Sequence, residues 1–148
     1  MPPIIFFAAG IPKGQPRVRA FVRGRHAGVY DPGAADDWKA AITIASKQKI
    51  QALNVTTFPI FNGPVTVTST FIFPRPKAHF RSNGEIKPGA PHYHTAKPDR
   101  DNCDKAVLDA LTHLQFWPDD SYAAAGTIIK RYANAGEATG VLIQISPL

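Results

Sequence analysis

Cysteine is almost absent from this chain: Cys103 stands alone among 148 residues. That excludes an intramolecular disulfide framework and any zinc site built from several thiolates. Long apolar runs are missing too. None approaches the roughly 18–20 residues that cross a bilayer, so no membrane partner is expected. The apolar opening Met1–Phe7 lacks a basic leader and continues into Lys13 and Arg17, which reads as a first strand rather than a signal peptide. A reducing cytoplasm is the simplest location. Acid is the third scarcity, with 11 Asp and Glu against 17 Lys and Arg, a net charge of +6 and a pI near 9.7. That balance suits a polyanionic partner without requiring one.

The distribution of charge says more than its sum. Lys13, Arg17, Arg19, Arg23 and Arg25 fall in a stretch with no acid, and Arg75, Lys77, Arg81, Lys87 and Lys97 face only Glu85. Asp99, Asp101, Asp104, Asp109, Asp119 and Asp120, by contrast, crowd into one short window. Two carboxylates about 4 Å apart repel by about 4 kcal/mol at an effective dielectric near 20. A basic chain that gathers its acids therefore needs a compensating cation, lysine or proton.

Length and an ordinary 44% hydrophobic content predict one domain spanning 1–148. Residues 3–9 read as a strand, and 17–30 as short strands with alternating Val18, Ala20 and Val22. After the turn Asp31-Pro32-Gly33, the apolar positions Trp38, Ala41, Ile42 and Ala45 recur at helical spacing between about 34 and 53. Val65, Val67, Ser69, Phe71 and Phe73 alternate as a strand. Residues 74–98, rich in proline and basic side chains, form a long loop of the kind that is either functional or disordered. A second helix is expected from Asp101 to about Leu114, with Asp101 as its N-cap and Asp104 completing a capping box. Residues 121–132 and 138–146 read as strands joined in a hairpin through Asn134-Ala135-Gly136. The expected fold is a small two-layer α+β domain, a mixed or largely antiparallel sheet packed against two main helices.

Asp99 and Asp101 lie one residue apart before the second helix. In extended backbone such positions project to one side, so both carboxylates can converge on one hard cation such as magnesium. Lys105 sits one turn beyond Asp101 on the same face. Asp119 and Asp120 follow the helix, and the strand returning from Ser121 would have to bring them back to the first pair. The alternative is plain: Asp-x-Asp before a helix is often an N-cap plus a solvated acid, and Asp-Asp is common in turns.

The run Lys97-Pro98-Asp99-Arg100-Asp101-Asn102-Cys103-Asp104-Lys105-Ala106-Val107-Leu108-Asp109-Ala110-Leu111, followed by Phe116-Trp117-Pro118-Asp119-Asp120, closely resembles the RusA-type Holliday junction resolvases. Their signature is D-x-D-N-x-x-K-A-x-x-D-A-L, then an aspartate pair and a strand. A looser likeness extends over the whole chain, including the stretch from Gly10 to Arg17. The resemblance implies a magnesium-dependent endodeoxyribonuclease, with manganese able to substitute, that resolves four-way junctions by paired nicks in recombination and repair. It implies that Asp99, Asp101 and Asp120 hold the metal, that Lys105 assists at the scissile phosphate, and that Asp119 supports them. A homodimer acting on branched DNA in a bacterial cytoplasm, or in a bacterial host if phage-encoded, is implied as well. A non-cleaving DNA-binding module of the same fold, or a nuclease acting on flaps, are the alternatives. Cys103 replaces a leucine-like residue of the family, and Pro98 stiffens the approach to Asp99.

Other residues invite functional readings. Lys13, Arg17, Arg19, Arg75, Lys77, Arg81 and Lys97 are candidate DNA contacts, and Phe80, His79 and Tyr93 could stack on unpaired bases; a solvated loop would show the same composition. His92 and His94 lack a nearby third ligand, which favours a DNA-facing or solvent-exposed loop over a zinc pair. Trp38 and Trp117 read as core.

Overall fold

β-Branched and aromatic residues alternate through Val65–Phe73, and this stretch becomes the central strand of the molecule. The computed structural model describes residues 2–15, 19–23, 26–30 and 36–148. In chain order the elements are β1 (Ile4–Ala9), β2 (Arg19–Arg23), β3 (His26–Tyr30), α1 (Asp36–Ala52), β4 (Val65–Phe73), α2 (Arg100–His113), β5 (Ala123–Ala125), β6 (Ile128–Tyr132) and β7 (Gly140–Pro147). One edge of β4 pairs antiparallel with β7, which pairs antiparallel with β1. The other edge pairs parallel with β5 and β6. The product is a five-stranded mixed sheet with two helices packed on it, the expected α+β class. β2 and β3 form a separate antiparallel ribbon, described by its backbone pairing alone. The turn expected at 31–33 lies outside the described residues.

Register aligns the inward side chains in rows. Ile4 lies opposite Ile145 and Ile145 opposite Val67; Ala8, Val141 and Phe71 repeat the pattern further along. All six are buried. Against them pack Trp38 and Ile42 from α1, and Cys103, Ala106, Val107, Ala110 and Leu111 from α2. Fully burying a Val, Leu or Ile side chain contributes about 1.5–3 kcal/mol. The α2 helix stops where Gln115 turns to φ +60°, and Phe116 and Trp117 fold beneath it. Trp117 is fully buried and its indole N–H donates to Thr112 Oγ1 at 2.7 Å.

Three sequence expectations need correction. Residues 121–132 and 138–146 do not form a hairpin, because β4 lies between β6 and β7 and pairs with both. Nor is 121–132 one strand. A 3-10 turn at Asp120–Tyr122 leads into β5, and the chain kinks at Gly126 before β6. Finally, the N-cap of α2 is Asp99 rather than Asp101; Asp99 keeps extended angles (φ −68°, ψ 155°) after Pro98, while Asp101 lies in the first turn. Asp104 therefore has no capping-box position.

Gly126 is required by contact. Its φ is +151°, and a Cβ there would lie 1.8 Å from the Val67 carbonyl oxygen. The clash is with backbone, which cannot swing aside. Gly126→Ala is expected to destabilise the fold by about 3 kcal/mol or more, measured by chemical denaturation.

Candidate active site

The amino end of α2 collects the chemistry. Pro98 leads into Asp99, and Lys97 Nζ donates to both Asp99 carboxylate oxygens at 2.9 Å in an exposed pair. Asp101 follows in the first helical turn, where the unpaired backbone N–H groups favour negative charge. Both acids lie close to the buried Cys103 thiol. Burial chiefly pushes that thiol up to about 11; Lys130 opposes the shift, and Asp101, Asp99 and Asp104 add to it. Cys103 is thus an inert packing group. The Lys130 ammonium also donates to the Ala96 carbonyl at 2.8 Å, fastening the segment that enters the site.

Further along α2 the side chains diverge. Lys105 turns to Asp109 at 3.5 Å, one turn on. Asp104 points to the other flank, into a cleft of about 210 Å³ lined by Leu108, Val67, Ile128 and residues 123–126. Burial there raises its carboxyl pKa. Neither the half-buried Asp104 nor the role of Lys130 was legible beforehand, since one looked like a helix cap and the other like a strand surface residue.

Asp120 and the Asp99–Asp101 pair lie beside different levels of β4. Phe61 N–H donates to the Phe116 carbonyl and Ile60 N–H to the Gln115 carbonyl, which anchors the carboxyl end of α2 near the start of β4. Asp120 lies three residues after Trp117 and just before β5, whose Ala123 pairs with Val65. Lys130, beside the Asp99 end, pairs with Phe71. Six residues of β4 separate those levels, about 20 Å at 3.3 Å per residue. The returning strand does run back along α2, and Asp120 precedes it, three residues before the Ala123 that pairs with Val65. Among the described residues no group of three or more His, Cys, Asp or Glu side chains is arranged to hold a metal ion. Asp119 accepts a hydrogen bond from Ser121 Oγ at 3.0 Å, and this with backbone N–H donors lowers its pKa.

The candidate DNA contacts sort unevenly. Lys77, Arg81, Lys87 and Lys97 are exposed. Arg75 is instead a structural pin: its Nε donates to the Ala133 carbonyl at 2.8 Å, one terminal nitrogen donates to the Pro91 carbonyl at 2.7 Å, and the guanidinium lies 5.4 Å from the Tyr132 ring centre. Lys13 is exposed beside a shallow cavity with Trp38. Arg17 and Arg25 lie outside the described residues, and only the backbone of Arg19 and Arg23 is described. His94 faces neither DNA nor solvent; it is buried and stacked on Phe73 at 3.7 Å. Desolvation, then Lys130, lowers its pKa.

An acidic pair at a helix amino end, set in a basic surface on a small mixed sheet, defines a class of protein suited to phosphate chemistry. The chain belongs to the RusA endodeoxyribonuclease family, whose model, described as endodeoxyribonuclease RusA, matches residues 9–146. It is also 27% identical to YqaN, an uncharacterised protein of Bacillus subtilis strain 168, over 151 residues that cover 97% of each chain. No helix among the described residues is long and apolar enough to cross a membrane.

The chain crosses from β6 to β7 under the control of one ion pair. Arg131 donates to both oxygens of Glu137, at 2.6 and 2.8 Å, and the Asn134 N–H adds a third bond. These hydrogen bonds pull the Glu137 carboxyl from its ordinary 4.5 down to about 2. Because the folded pKa is depressed, the pair stabilises the fold fully above about pH 4.5 and progressively less as pH falls toward 2. Denaturation at a series of pH values should show wild type losing stability faster over that interval than Glu137→Gln.

Proposed function

We propose that this chain is a magnesium-dependent, structure-selective endodeoxyribonuclease that resolves four-way DNA junctions as a homodimer. The observation that carries the reading is the Asp99 and Asp101 pair at the amino end of α2, with Lys97 and Lys130 beside it, in the segment that holds the D-x-D-N-x-x-K pattern. Magnesium is commonly held by one or two carboxylates together with waters and substrate phosphate oxygens, and these two acids are such a donor set. Bound there, the ion supplies polarisation of the phosphodiester and a water of lowered pKa, leaving 5′-phosphate and 3′-hydroxyl ends.

The chain's own residues bind and orient the substrate. Lys97 and Lys105 each sit on an acid in a largely exposed pair. Exposed pairs are worth about 0–1 kcal/mol, so exchanging the acid for a DNA phosphate costs little. Lys77, Arg81 and Lys13 hold the arms, and their contacts make binding fall steeply with added salt. In this reading Asp120 enters through a second copy of the chain. An isologous dimer that brings the α2 amino end of one protomer to the Asp119–Asp120 turn of the other does so twice. Two equivalent sites then match the approximate two-fold symmetry of a four-way junction and its two nicks.

The test is nicking of a synthetic four-way junction with magnesium or manganese. Asp101→Asn and Asp120→Asn should each bind the junction but cut it about 100-fold more slowly or worse, since a divalent ion contributes several kcal/mol and each 1.36 is a decade. Mixing the two inactive proteins should restore single nicks, because each mixed dimer regenerates one intact site. If the wild type binds junctions but cuts none with either ion, the enzymatic reading fails. If wild type cuts and the mixture stays dead, the shared site fails.

A further inference from the structure

We propose that Tyr93 is the platform on which this protein stacks a nucleobase displaced at the branch point of its DNA. The inference rests on the junction-nuclease reading and sharpens it to one side chain. Tyr93 is 62% exposed, more than any other Phe, Tyr or Trp whose side chain is described. Exposure alone would describe a solvated loop residue. Three further observations distinguish it.

First, its backbone is held as part of the sheet. Tyr93 bridges antiparallel to Arg131, the His94 N–H donates to the Lys130 carbonyl at 3.0 Å, and the Tyr132 N–H donates to the His92 carbonyl at 2.8 Å. Residues 92–94 therefore act as one more edge segment beside β6. His94 packs inward against Phe73 and Tyr132, whereas the Tyr93 ring stays exposed.

Second, the ring is oriented before anything binds. His92 stands edge-on to it, with centroids 4.8 Å apart and planes at 79°. An aromatic on a backbone already fixed by the sheet has less freedom to lose when a base lands on it, which favours affinity. Third, the surroundings suit a phosphodiester strand. Lys87 and Lys97, both exposed, flank Tyr93 in the chain. Single-strand sites combine aromatic platforms with exposed cations of this kind. Six residues link Tyr93 to Asp99, at most about 22 Å of chain. That is the reach of about six nucleotides of B-form strand at 3.4 Å each, so a base on the ring belongs to the same branch region as the cut phosphate.

Four other aromatics do not share these properties, and Phe58 is less exposed at 41%. Trp38 and Trp117 are buried. Phe80 is 36% exposed and belongs to the small turn that it closes with Ile86. Phe7 lies on the far edge strand against Gly140.

The experiment places 2-aminopurine, a fluorescent adenine analogue, at each nucleotide around the branch of a four-way junction and titrates in the full-length protein without divalent ions. Wild type and Tyr93→Phe should quench one branch position, whereas Tyr93→Ala should leave it bright. Junction affinity should fall about ten-fold in Tyr93→Ala, the loss expected for one base–aromatic stack, while affinity for a matched linear duplex stays unchanged. Thermal melting should be the same in all three proteins, since only an exposed side chain changes. Equal quenching and affinity in Tyr93→Ala and wild type would overturn the proposal and leave the nuclease reading intact. So would an equal loss on duplex and junction, or a dimer that dissociates in Tyr93→Ala, which would make Tyr93 a subunit contact. A wild type that fails to favour junctions over duplex would remove the junction reading and this inference together.

Discussion

The parallel pairing of β4 with β5 and β6 governs where every candidate group can be. A parallel neighbour cannot be reached by a tight turn, so the chain must leave β4 at Phe73, travel the length of the sheet and re-enter beside Val65. The α2 helix makes that return journey and runs against the strands. Its amino end therefore sits at the carboxyl ends of the parallel strands, where open α/β sheets place their functional groups. Asp99 and Asp101 are held there. The same path brings Asp120 in just before β5, whose Ala123 pairs with Val65. One topological requirement thus sets the levels of the sheet at which all three acids enter.

The segment between β4 and α2 is held as firmly as the sheet it leaves. Arg75 closes it at one end by gripping the carbonyls of Pro91 and Ala133, and Lys130 closes it at the other through Ala96. Between them His94 is inserted under the sheet edge against Phe73. The planar guanidinium fork suits Arg75 to this work, because it can bond two carbonyls while lying over a ring. A basic residue in a basic loop need not be a nucleic-acid contact. The outward side of the segment carries the exposed Lys77, Arg81, Lys87 and Tyr93.

Local patterns were legible in the sequence wherever a single periodicity decided the matter. The alternation of Val65, Val67, Phe71 and Phe73 and the stripe of Ala106, Val107, Ala110 and Leu111 marked β4 and α2 correctly, and Trp38, Trp117 and Cys103 went to the core as their neighbours required. The motif around Asp99 identified the family. Long-range pairing was not legible. Asn134-Ala135-Gly136 carries ordinary turn chemistry, and nothing local shows that β4 lies between the strands on either side. The level of β4 at which Asp120 enters was hidden for the same reason, because it is set by the pairing of Ala123 with Val65. Gly126 offered a signal that could have been used: a glycine between Ala125 and Thr127 in a strand pattern commonly marks a kink or close backbone approach.

Electrostatics then explain why the acids are placed at the surface with mobile partners. A buried ion pair would hold its carboxylate tightly, and opening it would leave an uncompensated charge costing about 3–5 kcal/mol. Asp99 is instead met by a lysine that is 85% exposed. Such a pair relieves the repulsion between neighbouring acids, yet dissolves readily when a stronger anion arrives. In the proposed function a DNA phosphate would take the ammonium and a divalent ion the carboxylate, so the two charges would be exchanged rather than created. The fold can therefore be stable before its substrate binds without locking the acids away from a cation. Had Lys97 been drawn into the core with Cys103, the same sequence pattern would describe a structural ion pair, and the surface would have lost the exposed cation beside its acids.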